Sequence, residues 1–262
     1  VKIKDSLRIV TGDTLYINYQ DSTIKDILIK KNAKIDNLRY AKIKTADQEQ
    51  AFNDILQGKK IFLDFLDGKL SYIEMDGMAT TTFHAIKDSL LNGLNILSGD
   101  SILVNLKNNE IKDLYSKGGA RGEFHPEENN SEVEYKMTYK ADEIKYRLET
   151  EESYLIDNAE VKYGDTILKA GEIFADWNKN LLEARIKDNI YPSVSGISES
   201  PTYGDLLIYN LVDKKGKIIK GETEYGEGSN QMYYKGEKIY RNNDLVYHIS
   251  NSILTSCEDD HP

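Results

Sequence analysis

The sequence predicts an all-β protein made of stacked β-hairpins. Three observations predict it: apolar residues alternate with polar ones at period two, polar pairs suited to tight turns separate the alternating runs, and one segment occurs three times. The copies begin Gly12-Asp13-Thr14-Leu15-Tyr16-Ile17, Gly58-Lys59-Lys60-Ile61-Phe62-Leu63 and Gly99-Asp100-Ser101-Ile102-Leu103-Val104. Their glycines lie 46 and 41 residues apart, and each copy closes on an alanine (Ala33, Ala79, Ala120) 21 residues after its glycine. A recurrence of this kind marks a stack of similar units, each needing its neighbours to bury an apolar face.

The first strand of each copy sets Leu15, Ile17 and Tyr19, then Ile61, Leu63 and Phe65, then Ile102, Val104 and Leu106 on one face. Strict alternation of this type belongs to half-buried strands. Asp21-Ser22, Asp67-Gly68 and Asn108-Asn109 follow, and such pairs accept the positive φ angles of hairpin turns. The second strand carries Ile24, Ile27 and Ile29, or Leu70, Ile73 and Met75. The phase slips between Ile24 and Ile27, which predicts a bulge or a strong local twist. The repeated alanine is expected where the chain passes close to a neighbour.

The second half keeps the theme. Strands are expected to open at Ala141-Asp142, Ala170-Gly171, Tyr203-Gly204 and Lys235-Gly236, with turns at 149–152, 178–180 and 213–216. Residues 42–57 carry helix-forming residues and a weak apolar stripe (Ala46, Ala51, Phe52, Ile55), so a short helix is expected there. Residues 84–95 read as an irregular connector, 125–134 as a linker and 191–201 as a loop.

Composition narrows the function classes. Hydrophobic residues make up 39% of the chain, and exchanging its 18 tyrosines for its 18 glycines leaves that share unchanged. A compact domain counted the second way reaches roughly 45–50%, so a thin body with a narrow core is expected. The net charge of −10 disfavours phosphate backbones and anionic membrane surfaces. No apolar run approaches 20 residues and no signal peptide is visible; the start at Val1-Lys2-Ile3-Lys4 leaves room for a processed or trimmed N-terminus.

Little in the sequence points to catalysis, so no enzyme, metal or cofactor is expected. His84, His125, His248 and His261 lack metal-ligand spacing, and no nucleophile elbow or phosphate loop occurs. Glu258-Asp259-Asp260-His261 is either a cation chelator or a solvated tail. Carboxylate pairs at 127–128, 142–143 and 151–152 recur at strand starts and turns, which favours a structural role over paired acid and base. The one cysteine, Cys257, is either a free thiol or the partner of a cysteine elsewhere. Small inward residues (Ala33, Ala79, Ala120, Ala159, Ala175) beside large ones (Tyr19, Phe65, Trp177) leave two readings open, a dry core or a groove for acyl chains.

Certain segments bear a family resemblance. Asp142-Glu143-Ile144, Asn158-Ala159-Glu160-Val161-Lys162-Tyr163-Gly164-Asp165 and Leu168-Lys169-Ala170 resemble the OstA-like repeat of lipopolysaccharide-transport proteins. Tyr209-Asn210, Lys214-Lys215-Gly216-Lys217-Ile218, Gly226-Glu227-Gly228 and Tyr234-Lys235-Gly236-Glu237-Lys238 are similar to the N-terminal periplasmic part of the LptD outer-membrane assembly family. Thr255-Ser256-Cys257 resembles the segment ahead of that family's barrel. The resemblance covers 136–262, with 1–125 expected as further OstA-like repeats. It implies an elongated β-jellyroll, or β-taco, that shields lipid acyl chains in the periplasm.

Further expectations follow from the resemblance. The chain would receive lipopolysaccharide or a related lipid from a bridge protein of similar fold, docked edge to edge. It would deliver that lipid to an outer-membrane β-barrel with its plug lipoprotein. The barrel is absent from this chain, so outer-membrane attachment would belong to the full-length protein, and Cys257 would bond to a barrel cysteine. Ile144, Tyr146, Leu148, Ile173, Ala175, Trp177, Leu206 and Ile208 are the expected lipid-lining residues. Two other classes stay open: a β-scaffold that docks partners through its edges without carrying lipid, and a β-solenoid enzyme acting on polysaccharide.

Overall fold

The computed structural model describes residues 2–4, 8–43, 49–87, 89–107, 110–128, 133–196, 200–225, 232–241 and 247–256. Every regular element among them is a strand. In chain order these are β1 (Lys2–Lys4), β2 (Arg8–Thr11), β3 (Thr14–Gln20), β4 (Thr23–Lys42), β5 (Glu49–Leu66), β6 (Lys69–Lys87), β7 (Leu90–Lys107), β8 (Glu110–Pro126) and β9 (Met137–Arg147). There follow β10 (Glu152–Tyr163), β11 (Thr166–Asp176), β12 (Leu181–Arg185), β13 (Ser193–Ser195), β14 (Thr202–Tyr203), β15 (Leu206–Asn210), β16 (Lys215–Tyr225), β17 (Met232–Arg241) and β18 (Tyr247–Thr255). The chain divides into two compact units, Val1–Thr138 with Asp142–Glu151, and Tyr139–Ala141 with Glu152–Pro262.

In the first unit β3 to β8 pair antiparallel in sequence order. Strand β2 pairs the far half of β4, so β2 and β3 act as one long strand broken at Gly12-Asp13. The repeat faces align in register: Leu15, Ile29, Ile61, Met75, Ile102 and Ser116 form one row across the sheet. All of that row beyond Leu15 is buried, and so is the next, Ile27, Leu63, Ile73, Val104 and Leu114. Burying one such side chain stabilises the fold by about 1.5–3 kcal/mol. Leu15 is only half-buried because, among the described pairings, β3 is an edge strand with a neighbour on one side alone.

The predicted turns at Asp21-Ser22 and Asp67-Gly68 are present, with φ of 48° and 64°, and 51° and 71°; Asn108-Asn109 lies outside the described residues. The predicted phase slip is a bulge at Lys25, between the pairs Asn18–Asp26 and Tyr19–Ile24. Equivalent bulges occur at Ser71 and Lys112. The same shift thus recurs in all three copies.

The strands run longer than the repeats suggest. Strands β5 and β7 begin well before Gly58 and Gly99, and β11 runs through Ala170-Gly171. These glycines therefore mark a mid-strand corner, not a strand start. At each corner two successive residues adopt left-handed φ and a buried alanine follows: Lys31-Asn32-Ala33, Gly77-Met78-Ala79, Gly118-Gly119-Ala120 and Asp157-Asn158-Ala159. Left-handed backbone costs about 1–2 kcal/mol for a non-glycine residue, least for Asn and Asp, so each corner contains Gly or Asn. The alanine faces a small partner, Ala33 opposite Gly58, Ala79 opposite Gly99 and Ala159 opposite Ala170.

Three other expectations are corrected. The helix expected within 42–57 is absent: β4 runs to Lys42 and β5 starts at Glu49, while 44–48 lie outside the described residues. Its apolar residues do not alternate as a strand's would, Ala51 and Ile55 falling on the face opposite Phe52, and pairing with β4 from Lys42–Glu49 onward decides for the strand. The supposed connector 84–95 is the end of β6 and the start of β7, paired through Lys87–Leu90. The loop 191–201 contains the short strand β13.

Near the far end of the first unit the β5–β6 ladder stops at Ile55–Thr82. Asp54 takes over there, buried at 3% exposure. It accepts hydrogen bonds from the His84 backbone N–H at 2.8 Å and from Arg39 Nη1 at 3.2 Å, and its Oδ1 lies 2.9 Å from His84 Nδ1. Arg39 also donates to the His84 carbonyl at 3.1 Å. A carboxylate thus replaces the missing ladder bond, and its own burial is offset by these partners.

In the second unit the corner splits some strands outright. Strands β12 and β13 are the two halves of one strand, parted by a loop in which Asp188 and Asn189 have positive φ. Strands β14 and β15 part at Gly204-Asp205. Strands β10, β11, β16 and β17 pass through the corner, β16 and β17 at Gly221 and Gly236, which face each other. A first layer contains the outer halves of β10 and β11, then β12, β15, and the adjoining halves of β16 and β17. A second layer contains the other halves of β10 and β11, then β13, β14, and the remaining halves of β16 and β17.

The corner glycines Gly171 and Gly204 have no space for a side chain. A Cβ on Gly171 would lie 2.4 Å from the Lys187 carbonyl oxygen, and one on Gly204 2.9 Å from that of Ile219. Gly216 differs, since its Cβ would meet nothing closer than 3.5 Å and its φ is ordinary. Gly171→Ala is therefore expected to destabilise the second unit by about 1–3 kcal/mol through overpacking. Gly216→Ala should leave stability unchanged or raise it by up to about 1 kcal/mol. Urea midpoints of the two variants check this; equal losses would contradict the corner account.

Candidate functional site: the seam of the second unit

The two layers of the second unit face each other across an apolar space. Register in the first layer lines up Leu155, Ile173, Ala184, Leu207, Ile218, Ile239 and Ile249 in one row. The adjacent row, one step toward the hairpin tips, reads Ser153, Ala175, Leu182, Tyr209, Gly216 and Arg241. The second layer contributes Val161, Leu168, Val194 and Thr202 from the opposite side. With Leu182, Leu207, Tyr209, Gly216 and Ile218 of the first layer they border a pocket of about 40 Å³, open at its mouth. Sheets packed face to face stand about 10 Å apart, and their side chains normally fill that gap. Here Gly216, with no side chain, borders a small part that is left empty.

The mouth is polar on one side. Tyr209 sits at the tip of the first layer and hydrogen-bonds Thr166 of the second. Burial pushes its phenol above the ordinary value, while Arg241 and Lys214 pull it back down. Lys217 also borders the space, but it pairs with Ile208 on the other face, where its ammonium lies 5.7 Å from the Tyr240 ring centroid. Among the described residues no acidic residue lines the space.

The expected lining residues separate into groups. Ile173 and Ala175 are fully buried on the inner face, in the rows described above. Trp177 lies past the end of β11, in the turn, and donates its indole N–H to Ser153 Oγ at 2.7 Å. Leu206 and Ile208 are on the other face: Leu206 aligns with Arg185 and Glu172, and Ile208 with Glu183 and Phe174. Ile208 borders the space through its backbone carbonyl beside Gly216. The run Leu206-Leu207-Ile208-Tyr209 is apolar throughout, so alternation could not fix its phase, and the ladder to β12 does. Leu207 and Tyr209 are the inward residues that sequence reasoning missed.

Ile144, Tyr146 and Leu148 belong to the first unit. Ile144 is fully buried, the Tyr146 ring meets the Phe83 ring edge-on at 6.2 Å, and the Leu148 backbone N–H donates to the Lys112 carbonyl. Cys257 and the acidic segment after it lie outside the described residues. Among the described residues no group of three or more His, Cys, Asp or Glu side chains is placed to hold a metal ion.

The turn carrying Trp177 is fastened by Asp176. Its carboxylate accepts from the Lys179 ammonium at 2.7 Å and from the Lys179 backbone N–H at 3.1 Å. The hydrogen bond from the Lys179 ammonium, first among several contributions, holds Asp176 below the ordinary carboxylate value.

No protein-family model matches the chain, and no curated protein matches it. Among solved structures it is similar to the crystal structure of LptH, described as the LptA-homologous periplasmic component of the lipopolysaccharide transport device of Pseudomonas aeruginosa. The identity is 17%, with 51% of this chain and 82% of that chain covered, at a TM-score of 0.40.

Because the folded-state pKa of Asp176 is lowered, its contribution to stability is complete above about pH 4 and is lost as pH falls through the lowered value. Asp176→Asn should therefore be less stable than wild type at neutral pH, and the two should converge as the pH falls through the lowered value. Urea midpoints across that range check it; a constant gap at every pH would contradict it.

Proposed function

We propose that this chain is a non-enzymatic, lipid-shielding conduit of the periplasm. Acyl chains lie between the facing layers, shielded from water, and each buried CH₂ contributes about 0.8 kcal/mol. The observation that carries this reading is the incompletely filled seam of the second unit, lined by apolar residues from both layers. The resemblance of 136–262 to OstA-like repeats supports lipopolysaccharide or a related lipid as the cargo. It also supports delivery to an outer-membrane β-barrel with its plug lipoprotein. Residues 1–125 then act as additional repeats ahead of that region. Among the described pairings, the edge strand β3 has neighbours on one side only, which suits docking of a bridge protein of similar fold by strand addition.

The ladder register makes the test sharp. A photo-crosslinking residue at Leu207 is expected to capture lipid in cells, whereas one at the neighbouring Leu206 should not, because the two side chains point to opposite faces. Absence of adducts at Leu207 in a functional protein would contradict the conduit reading.

A further inference from the structure

The outer face of the first unit carries an ordered pattern of its own. The residues that alternate with the buried rows align in register from β3 to β8: Tyr16, Leu28, Phe62, Glu74, Leu103 and Tyr115. Five of the six are aliphatic or aromatic, and none is buried, Tyr16 being 51% exposed. The solvated face of an antiparallel sheet is ordinarily polar. Here an apolar lane crosses the strands on the face away from the core.

Charge is sorted on either side of that lane. Lys30, Lys60 and Lys117 stand on the flank toward the corner, and Asp26, Asp64 and Asp113 on the flank toward the hairpin tips. The sorting is written into single strands. It reads Asp26-Ile27-Leu28-Ile29-Lys30 in β4, Lys60-Ile61-Phe62-Leu63-Asp64 in β5 and Asp113-Leu114-Tyr115-Ser116-Lys117 in β8. The order reverses where the strand direction does, so lysine falls on the same flank each time. Lys30 and Lys117 lean toward the lane, their ammonium groups 5.0 Å and 4.7 Å from the ring centroids of Tyr16 and Tyr115. Asp76 on the lysine flank pairs with Lys60 at 3.2 Å, and the Tyr115 hydroxyl donates to Glu143 at the β8 end. On the outer face of the second unit, by contrast, opposite charges stand together, Arg185 meeting Glu183 at 2.9 Å and Glu172 at 3.7 Å.

The sorted face is complementary to itself. A twofold axis running along the lane, between two facing sheets, lays lane on lane and sets each lysine flank over an aspartate flank. It also keeps every strand opposite its own counterpart, which suits the aligned packing of sheets within about 30°. We infer that the outer face of the first unit docks a second copy of this chain, sheet on sheet, with Lys30 meeting Asp26, Lys60 meeting Asp64 and Lys117 meeting Asp113 across the axis. Pairing of one patch with itself is how closed twofold dimers form. Six strands about 4.8 Å apart and three rows about 6.6 Å apart give, with their side chains, a patch of roughly 30 by 20 Å. Two such patches bury on the order of 1,200 Å² in total, the lower end for specific association, so the dimer is a weak one. Glu74, the charged member of the lane, meets its own copy across the axis and weakens it further. The contact uses neither the seam nor the β3 edge, so the inference does not rest on the conduit reading.

Sedimentation equilibrium of the full chain at low salt, from about 1 to 300 μM, tests this, with wild type expected to form dimers of Kd on the order of 10 μM and nothing larger. Lys30→Asp should weaken the dimer about tenfold or more, because it places like charges together twice across the axis, and adding Asp26→Lys should restore it. Phe62→Ser should also weaken it about tenfold or more. Glu74→Gln should tighten it about threefold or more, a gain that a damaged fold would not give. Circular dichroism identifies any variant that fails to fold, and Glu74→Gln with the charge-exchanged pair keeps the test decisive in that event. A wild type that stays monomeric throughout would overturn the inference. So would a dimer whose Kd neither Lys30→Asp nor Glu74→Gln changes, which would lie on another surface, and so would open-ended chains of copies, the product of strand addition at an edge.

Discussion

Everything in this protein depends on strands that turn a corner without losing their ladders. A strand of 17 to 20 residues, such as β4 to β8, is about three times the usual length. Left-handed residue pairs in β4, β6 and β8, each followed by a buried alanine, turn these strands in place, and β5 and β7 set Gly58 and Gly99 opposite two of those alanines. Pairing resumes on both sides of each corner, as in β4–β5 at Lys30–Lys60 and again at Ala33–Gly58. The backbone strain of the left-handed residues is local, whereas the rows of buried Ile, Leu and Val that it permits extend across whole sheets.

In the second unit the same constraint decides where space is left. Gly171 and Gly204 pack against backbone carbonyls and cannot be enlarged, so the layers meet closely at the fold. Away from the corner, side-chain size alone sets the gap. Leu182, Leu207 and Ile218 border it with their side chains, and Gly216 leaves a small gap among them. Tyr209 reaches across to Thr166 and limits how far the tips can part. The seam is thus held from both ends, by backbone at the corner and by a side-chain hydrogen bond at the mouth.

Much of the fold was legible in the sequence because short-range rules govern it. Alternation placed Ile61, Leu63, Ile102 and Val104 on one face, and the interrupted phase at Ile24 located a bulge. The corners were only half legible: glycine and alanine marked them, but local pattern could not say whether a strand began there or continued through. That depends on pairing with distant residues, as at 49–57, where β4 holds a helix-compatible stretch extended. The site was less legible still. Ile173 and Ala175 follow from alternation, but the uniformly apolar run from Leu206 to Tyr209 has no phase of its own until β12 imposes one. Gly216 resembles a turn residue in sequence, and only its place opposite Tyr209 and Arg241 reveals it as a gap in an interior row.

The central claim is that an aliphatic chain fits between the layers of the second unit. Its most direct measurement is paramagnetic broadening of backbone amide NMR signals by a fatty acid carrying a nitroxide along its chain. The account predicts strong, saturable broadening at Val161, Leu168, Leu182 and Leu207, which border the seam, with broadening reduced by unlabelled fatty acid. Uniform weak broadening over the surface, or none in the seam at saturating ligand, would contradict it.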